Sequence, residues 1–182
     1  MPPYVYWMLL VGWLLWMIPF FLIRRGRPTA STIDRRARWG IGIQVVAFSL
    51  VWQGRFWLRE PAVWRIWVSA VLLGLAVLLT WTSTRTLGRQ WRVDAGLNED
   101  HQLVTAGAYR LIRHPIYASM LCMLLGTGTL LAPWFLFLPA IVLFLVGIEI
   151  RVRVEDGLLA GRFGDRFDAY RRQVAAYIPY IR

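Results

Sequence analysis

Long runs of apolar residues, broken only by short arginine-rich stretches, constrain this chain more than any other feature. Crossing ~30 Å of hydrocarbon takes about 20 predominantly apolar residues in a helix. A helix is also the form in which one segment satisfies its own backbone polar groups in lipid. Tyr4 to Ile23 is such a run. Pro19 predicts a kink in it, and Tyr4, Tyr6, Trp7 and Trp13 fall toward its outer end, where interfacial aromatics gather. A second run extends from Trp39 to about Gln53 or Leu58, and a third from Val63 to about Trp81. After a polar middle over 82–115, the runs Ile116 to Leu131 and Trp134 to Ile150 flank Ala132-Pro133 as a tight, uncharged helical hairpin. The expectation is an all-α integral membrane protein with five transmembrane helices. It forms one domain: 1–81 holds three helices, and 82–182 holds the hairpin (about 116–150) and an amphipathic tail. In that tail Val152, Leu158, Leu159, Phe163, Phe167 and Tyr170 recur at roughly helical spacing, as in a helix lying along a membrane surface.

Charge sets the orientation. The net charge is +11, and every basic side chain is an arginine. A nucleic-acid reader would carry a basic face on a soluble domain. Here the arginines cluster at the ends of apolar runs, where they direct topology and meet anionic headgroups, so nucleic acid is not the expected partner; membrane lipids are. Arg24, Arg25, Arg27, Arg35, Arg36 and Arg38 stand against the single acid Asp34. With five spans, that loop, the polar middle and the 151–182 tail share one side, which is then cytoplasmic. Arg55 and Arg59 on the other side weaken the asymmetry without reversing it. The N-terminus is expected outside and the C-terminus inside. Met1-Pro2-Pro3 supplies no basic n-region, so the first run is read as a span and not as a cleavable signal. The total absence of Lys suggests a GC-rich bacterial genome, hence the inner membrane.

Soft ligands are scarce. Cys122 is the only cysteine, and His101 and His114 are the only histidines. A His/Cys metal site would need nearly all of them, so no metal is expected. Gly40-Ile41-Gly42 and Gly126-Thr127-Gly128 lie inside apolar runs and read as helix-packing positions. No strand–turn–helix context surrounds them, which excludes a Rossmann domain.

Two polar clusters remain. The first is Arg113-His114-Pro115-Ile116-Tyr117, with His101 upstream. Pro115 suits the first turn of the fourth helix, which places His114 at or near the N-cap, beside a natural seat for a carboxylate or phosphate. The competing interpretation is a stop-transfer boundary, with arginines at the headgroups and Tyr117 in the aromatic belt. The second cluster is Glu149, Arg151, Arg153, Glu155 and Asp156. Glu149 pairs with Arg153, and Arg151 with Glu155, at i,i+4 on a helix. These are either ordinary ion pairs or functional groups held at membrane depth.

At these residues the sequence resembles the isoprenylcysteine carboxyl methyltransferase family and its bacterial relatives, with phospholipid N-methyltransferases as more distant kin. The shared elements are Leu87-Gly88-Arg89; His101-x-Leu103-Val104-Thr105-x-Gly107-x-Tyr109; Arg113-His114-Pro115-x-Tyr117; and Arg151-x-x-x-Glu155-Asp156-x-x-Leu159-x-x-x-Phe163-Gly164, followed by Tyr170 and Ile178-Pro179. They cover roughly residues 85–181. The resemblance implies S-adenosylmethionine as methyl donor, S-adenosylhomocysteine as product, and a pocket on the cytoplasmic face. Carried over by position, His101, Gln102, Leu103, Val104, Tyr109, His114, Pro115, Ile116, Tyr117 and Glu155 would line the cofactor site. Arg151 would face the acceptor, and catalytic work would fall to Arg151, Glu155 and His114. Backbone N–H groups near His114 would suit the cofactor's carboxylate, Glu155 its ammonium or ribose, and Tyr109 and Tyr117 its adenine or sulfonium.

The acceptor would be lipophilic or small: an isoprenylcysteine-like carboxylate, a thiol or an amine. A lateral opening between the fourth and fifth spans would admit it. Departures are Asp156 where the family's second acid is Glu, Asp94 where eukaryotic members have Gln, and Ser119 in place of a Gly, which would narrow the lipid-side entrance. Two alternatives stand beside this reading. One is an NADPH-dependent sterol-type reductase, whose motif continues Asn-Tyr and Gly-Glu where this chain has Ile116-Tyr117 and Ala118-Ser119. The other is a non-enzymatic membrane scaffold.

Overall fold

The computed structural model describes residues 1–23, 32–54, 60–97 and 101–179, without the side chains of Thr32, Ile33 and Arg89. Arg24, Arg25, Arg27, Arg55, Arg59 and the end of the family resemblance at Ile181 lie outside the described residues. The chain is mostly helical: α1 (Pro3–Leu22), α2 (Ala37–Val51), α3 (Val63–Leu87), α4 (Pro115–Leu131), α5 (Trp134–Phe163) and α6 (Asp165–Gln173). Purely all-α it is not. A two-stranded antiparallel pair, β1 (Thr32–Ile33) with β2 (Gly96–Leu97), ties the segment before α2 to the loop after α3, in the register Thr32 to Leu97 and Ile33 to Gly96.

Three helices, α1, α3 and α5, are long and apolar enough to cross a membrane. The other two apolar helices are shorter: α2 has 15 residues and α4 has 17, or about 22 and 26 Å of rise. Trp7, Phe21, Trp64, Trp67, Leu78 and Trp134 are all more than half exposed, an outward apolar surface that water would not support on this scale.

Element ends follow local chemistry. Pro115 opens α4 and Pro133 precedes α5, where a missing N–H costs little. Both α3 and α5 stop at a glycine with positive φ, Gly88 (55°) and Gly164 (51°). Two helices run past their expected ends. The third span was expected to finish near Trp81, but α3 continues to Leu87. Its polar last turns sustain the helix because Thr82, Thr84 and Thr86 donate their hydroxyls to the carbonyls of Leu78, Thr80 and Thr82. Likewise α5 carries straight through the charged stretch 149–156 to Phe163.

The helices of the expected hairpin diverge. Along its length α4 packs on α3, whereas α5 packs on α2, and α1 covers α3. Hydrogen bonds between buried and half-buried side chains hold α1, α3 and α4 together. Trp16 Nε1 donates to Ser119 Oγ at 3.2 Å, and Thr80 Oγ1 donates to the same oxygen at 2.8 Å. Trp13 Nε1 donates to Thr127 Oγ1 at 3.2 Å, so Trp13 is an internal residue and not an interfacial one. Such bonds average about 0.6 kcal/mol in membrane proteins; their value here is to fix which faces meet. The glycines divide: Gly40, Gly126 and Gly128 lie against neighbouring helices, whereas a Cβ on Gly42 would meet open space.

Candidate functional site

The site begins where residues 112–114 run beside the tail after α6. Ile112 bridges Ala175 in parallel fashion, and the N–H groups of Arg113 and His114 donate to the carbonyls of Ala175 (2.8 Å) and Ala176 (2.7 Å). The Arg113 side chain completes the fastening, with Nη1 donating to the Arg171 and Val174 carbonyls and Nη2 meeting Asp156 Oδ2 at 2.9 Å. These contacts correct one expectation. The backbone N–H groups of Arg113 and His114 are already used, Pro115 has none, and those of Tyr117 and Ala118 bond the His114 carbonyl. Among the described residues, Ile116 keeps the one N–H in that turn without a hydrogen-bond partner.

His114 sits between two carboxylates. Its Nε2 is 2.9 Å from Asp156 Oδ1 and its Nδ1 is 3.4 Å from Glu155 Oε2. Burial works against protonation, but the hydrogen bonds to Asp156 and Glu155 outweigh it and hold His114 above its usual range. An imidazole flanked this way serves both acids only with a proton on each nitrogen. The ring also stacks on Tyr117, centroids 5.6 Å apart at 19°.

Tyr117 links His114 to Arg151. Its hydroxyl donates to Glu155 Oε1 and accepts from Arg151 Nε at 2.8 Å. The Arg151 guanidinium lies 4.9 Å from the Tyr117 ring centroid, donates from Nη2 to the Val93 carbonyl at 2.9 Å, and reaches Glu155 at 3.8 Å. Arg151 is therefore buried in a network, while Arg153 is the exposed half of an ordinary helical pair with Glu149 at 2.8 Å. Beside Val93, Asp94 is held by Arg38 of α2 at 3.2 Å, which keeps its carboxyl below the usual range. Tyr109 is buried, its carbonyl accepts from the Tyr170 hydroxyl, and desolvation pushes its phenol well above the ordinary value. The Gln102 N–H donates to Gln90 Oε1 at 3.2 Å.

These groups surround a cavity of about 520 Å³, within the range that holds a cofactor or drug-sized ligand. Its wall contains His101, Gln102, Leu103, Val104, Tyr109, His114, Pro115, Ile116, Tyr117, Arg151 and Glu155 together, with Asp94 beside them. Leu158, Leu159, Phe167 and Tyr170 also face it, so much of the tail's apolar stripe is spent inside the molecule and not on a membrane surface. Ser119 does not line it: fully buried, it is engaged by Trp16 and Thr80, and so it does not narrow an entrance.

Sequence reasoning missed the opposite wall. Trp16, Met17, Phe20 and Phe21 of α1, Ile41, Gln44, Val45 and Phe48 of α2, and Met120 of α4 extend the cavity with apolar surface. The greasy end thus lies toward α1 and α2, not in a gap between α4 and α5. Gln44, the one side-chain amide within α2, was the available signal. Asp156, placed in the second polar cluster but given no role there, is the acid that joins Arg113 and His114.

Fold and site together define a polytopic membrane protein with an internal cavity that is ionic at one end and apolar at the other. Residues 64–166, more than half of the chain, match the phospholipid methyltransferase family model, and the chain belongs to that family. It is an integral membrane protein. It is 33% identical over 160 residues to the cobalt-zinc-cadmium resistance protein CzcN of Cupriavidus metallidurans, covering 87% of this chain and 70% of the relative. It is 36% identical over 84 residues to the protein-S-isoprenylcysteine O-methyltransferase of Schizosaccharomyces pombe, covering 46% and 36%. The enzyme of that name from Tribolium castaneum is 31% identical over 121 residues, covering 63% and 43%. The chain thus spans about a third of the yeast relative's length.

Proposed function

We propose that this protein is an S-adenosylmethionine-dependent methyltransferase that acts on a lipophilic or small acceptor. The observation that carries the reading is the convergence of His114, Tyr117, Arg151 and Glu155 on one cavity with an apolar extension, in a chain of this family. S-Adenosylmethionine, when bound, would supply an electrophilic methyl group on a sulfonium. The residues present fit it. Glu155 offers a carboxylate to an ammonium or to ribose hydroxyls. The unpartnered Ile116 N–H at the start of α4 suits a carboxylate. Tyr109, Leu103 and Val104 supply apolar wall for an adenine.

The chain's own residues position and exclude. Arg151 stands between the ionic and apolar ends, where it would hold an anionic acceptor oxygen in line with the methyl carbon; alignment of that kind supplies much of the acceleration in such displacements. His114, held protonated by two acids, is better suited to fixing Glu155 than to removing a proton. The site therefore favours an acceptor that arrives already anionic, such as a carboxylate, over an amine or thiol that must lose a proton.

In this reading α1 to α5 all cross the bilayer, with α2 and α4 short enough to tilt little or to thin the membrane locally. The whole chain is one unit, since residues before 81 and after 82 share the cavity. The arginine-rich side is cytoplasmic, so the N-terminus lies outside, the ionic end of the cavity faces the cytoplasm, and a bacterial inner membrane is the setting.

Thermal stability of the detergent-purified protein tests the proposal. Millimolar S-adenosylmethionine and S-adenosylhomocysteine should each raise the melting temperature, and NADPH should not. No stabilisation by either adenosyl ligand would sink the methyltransferase reading, and stabilisation by NADPH would favour a reductase.

A further inference from the structure

Gln44 is the most expensive residue in α2 and none of the chemistry described so far uses it. It is 2% exposed. Neither its amide nitrogen nor its amide oxygen has a hydrogen-bond partner, yet the residue lines the cavity. A buried primary amide with both ends unsatisfied costs stability, because desolvation is not repaid, and the cost is steepest within an apolar, membrane-spanning helix.

The backbone has been shaped to hold it there. A Cβ on Gly147 of α5 would stand 2.8 Å from Gln44 Cγ, and a Cβ on Gly40 of α2 would stand 2.6 Å from Arg151 Cγ. Gly40 and Gln44 are one turn apart on α2, as are Gly147 and Arg151 on α5. Each helix thus offers a glycine notch to the polar side chain of the other. The arrangement sets Gln44 and Arg151 on adjacent levels of one crossing, where the ionic end of the cavity meets the Val45, Phe48 and Met120 wall.

We propose that Gln44 is an acceptor-binding residue: its amide hydrogen-bonds a neutral donor–acceptor group in the head of an amphiphile whose anionic oxygen is held by Arg151. An anion alone would satisfy Arg151 but only the N–H side of Gln44. Satisfying both amide atoms takes a ligand group with a donor and an acceptor, such as a secondary amide or a hydroxyl. The inference rests on the methyl-transfer reading for its choice of acceptor side, but its test does not need the adenosyl ligand.

Two probes of equal chain length separate the possibilities in lipid nanodiscs. N-dodecanoylglycine carries a carboxylate and a secondary amide; pentadecanoate carries the carboxylate alone. Wild-type protein should bind the acylglycine about tenfold more tightly, the scale of one or two well-made hydrogen bonds. Gln44→Met keeps the unbranched stem that the Gly147 notch accepts, and it should abolish the preference while leaving the S-adenosylhomocysteine-induced shift intact. Without ligand it should also melt higher than wild type, since the unpaired amide is gone; a purely structural glutamine would predict a lower melting temperature. Equal wild-type affinity for the two probes overturns the proposal, as does a preference that survives Gln44→Met. Should that variant not fold, the wild-type comparison still decides, and Gln44→Asn, whose amide is one methylene short, should reduce the preference. An acylglycine preference in a protein that binds no adenosyl ligand would uphold the Gln44 contact and overturn methyl transfer.

Discussion

Arg113 and Asp156, 43 residues apart in sequence, form a buried ion pair at 2.9 Å whose side chains are only 5% and 11% exposed. The pair joins the segment entering α4 to the C-terminal half of α5, and the other Asp156 oxygen orients His114. Removing the acid leaves the buried Arg113 guanidinium without its carboxylate and His114 with Glu155 alone. Loss of one partner of a buried pair typically costs about 3–5 kcal/mol. Asp156→Ala should therefore lower the melting temperature of the detergent-solubilised protein severely or prevent its accumulation. Asp156→Asn, which still accepts a hydrogen bond, should be milder. A melting temperature for Asp156→Ala equal to that of wild type would show that the pair carries no such weight.

Cofactor binding and turnover should separate by residue. Glu155→Ala and His114→Ala should each weaken S-adenosylhomocysteine binding by at least about tenfold, the worth of one charge-assisted hydrogen bond. Arg151→Gln should leave that affinity within a few-fold and chiefly reduce methyl label carried into organic-soluble product from a total lipid extract. Titration calorimetry and the label assay give the two numbers independently. Wild-type affinity in both of the first two variants would refute the pocket as assigned.

Stability should depend on pH through His114. Its folded-state pKa lies above the unfolded value of 6.5 because the Asp156 and Glu155 pairings outweigh burial. The stabilisation is then fully present below about pH 6.5 and is lost as pH rises through the folded pKa. Melting temperature should fall across that alkaline interval in wild type, and His114→Gln should flatten the fall. Parallel curves for the two proteins would contradict the assignment of the proton to His114.

Orientation is open to a direct check. With the 151–182 arginines inside, green fluorescent protein fused after Arg182 should fluoresce, and alkaline phosphatase fused there should be inactive. The opposite pattern would put the ionic end of the cavity outside the cytoplasm.

How much of this was legible beforehand differed between the two ends of the cavity. Apolar runs located every long helix, because hydropathy is a local property. The ionic end was legible because its residues crowd into two short stretches, 101–117 and 151–156. Their partnership was not derivable from spacing: α4 and α5 diverge after a tight turn, so Tyr117 and Arg151 meet through the way each packs on another helix. The extension of α3 to Leu87 was missed because Thr82, Thr84 and Thr86 read as loop residues until their hydroxyls are seen bonded back to the helix. The apolar wall of α1 and α2 was hidden for a simpler reason. Trp16, Phe20 and Phe48 look the same in sequence whether they face lipid, a neighbouring helix or a cavity.

The α2–α5 pair offers a sharp contrast between two glycines, Gly147 on α5 and Gly42 on α2. A methyl group on Gly147 would stand 2.8 Å from Gln44 Cγ and 2.8 Å from the Gly40 carbonyl oxygen, and backbone cannot yield as a side-chain tip can. Gly147→Ala should thus force the helices apart at a cost of about 1–3 kcal/mol, the usual penalty of overpacking. Because Arg151 rides on the same notch, acceptor-dependent turnover should fall as well. On the exposed side of α2, a Cβ at Gly42 meets nothing within 4 Å. There alanine only restricts the unfolded backbone and should stabilise by about 0.5–1 kcal/mol. Melting temperatures of the two variants, prepared identically, should move in opposite directions. A harmless Gly147→Ala would mean that α2 and α5 are not locked at this crossing, and the placement of Arg151 would need another explanation.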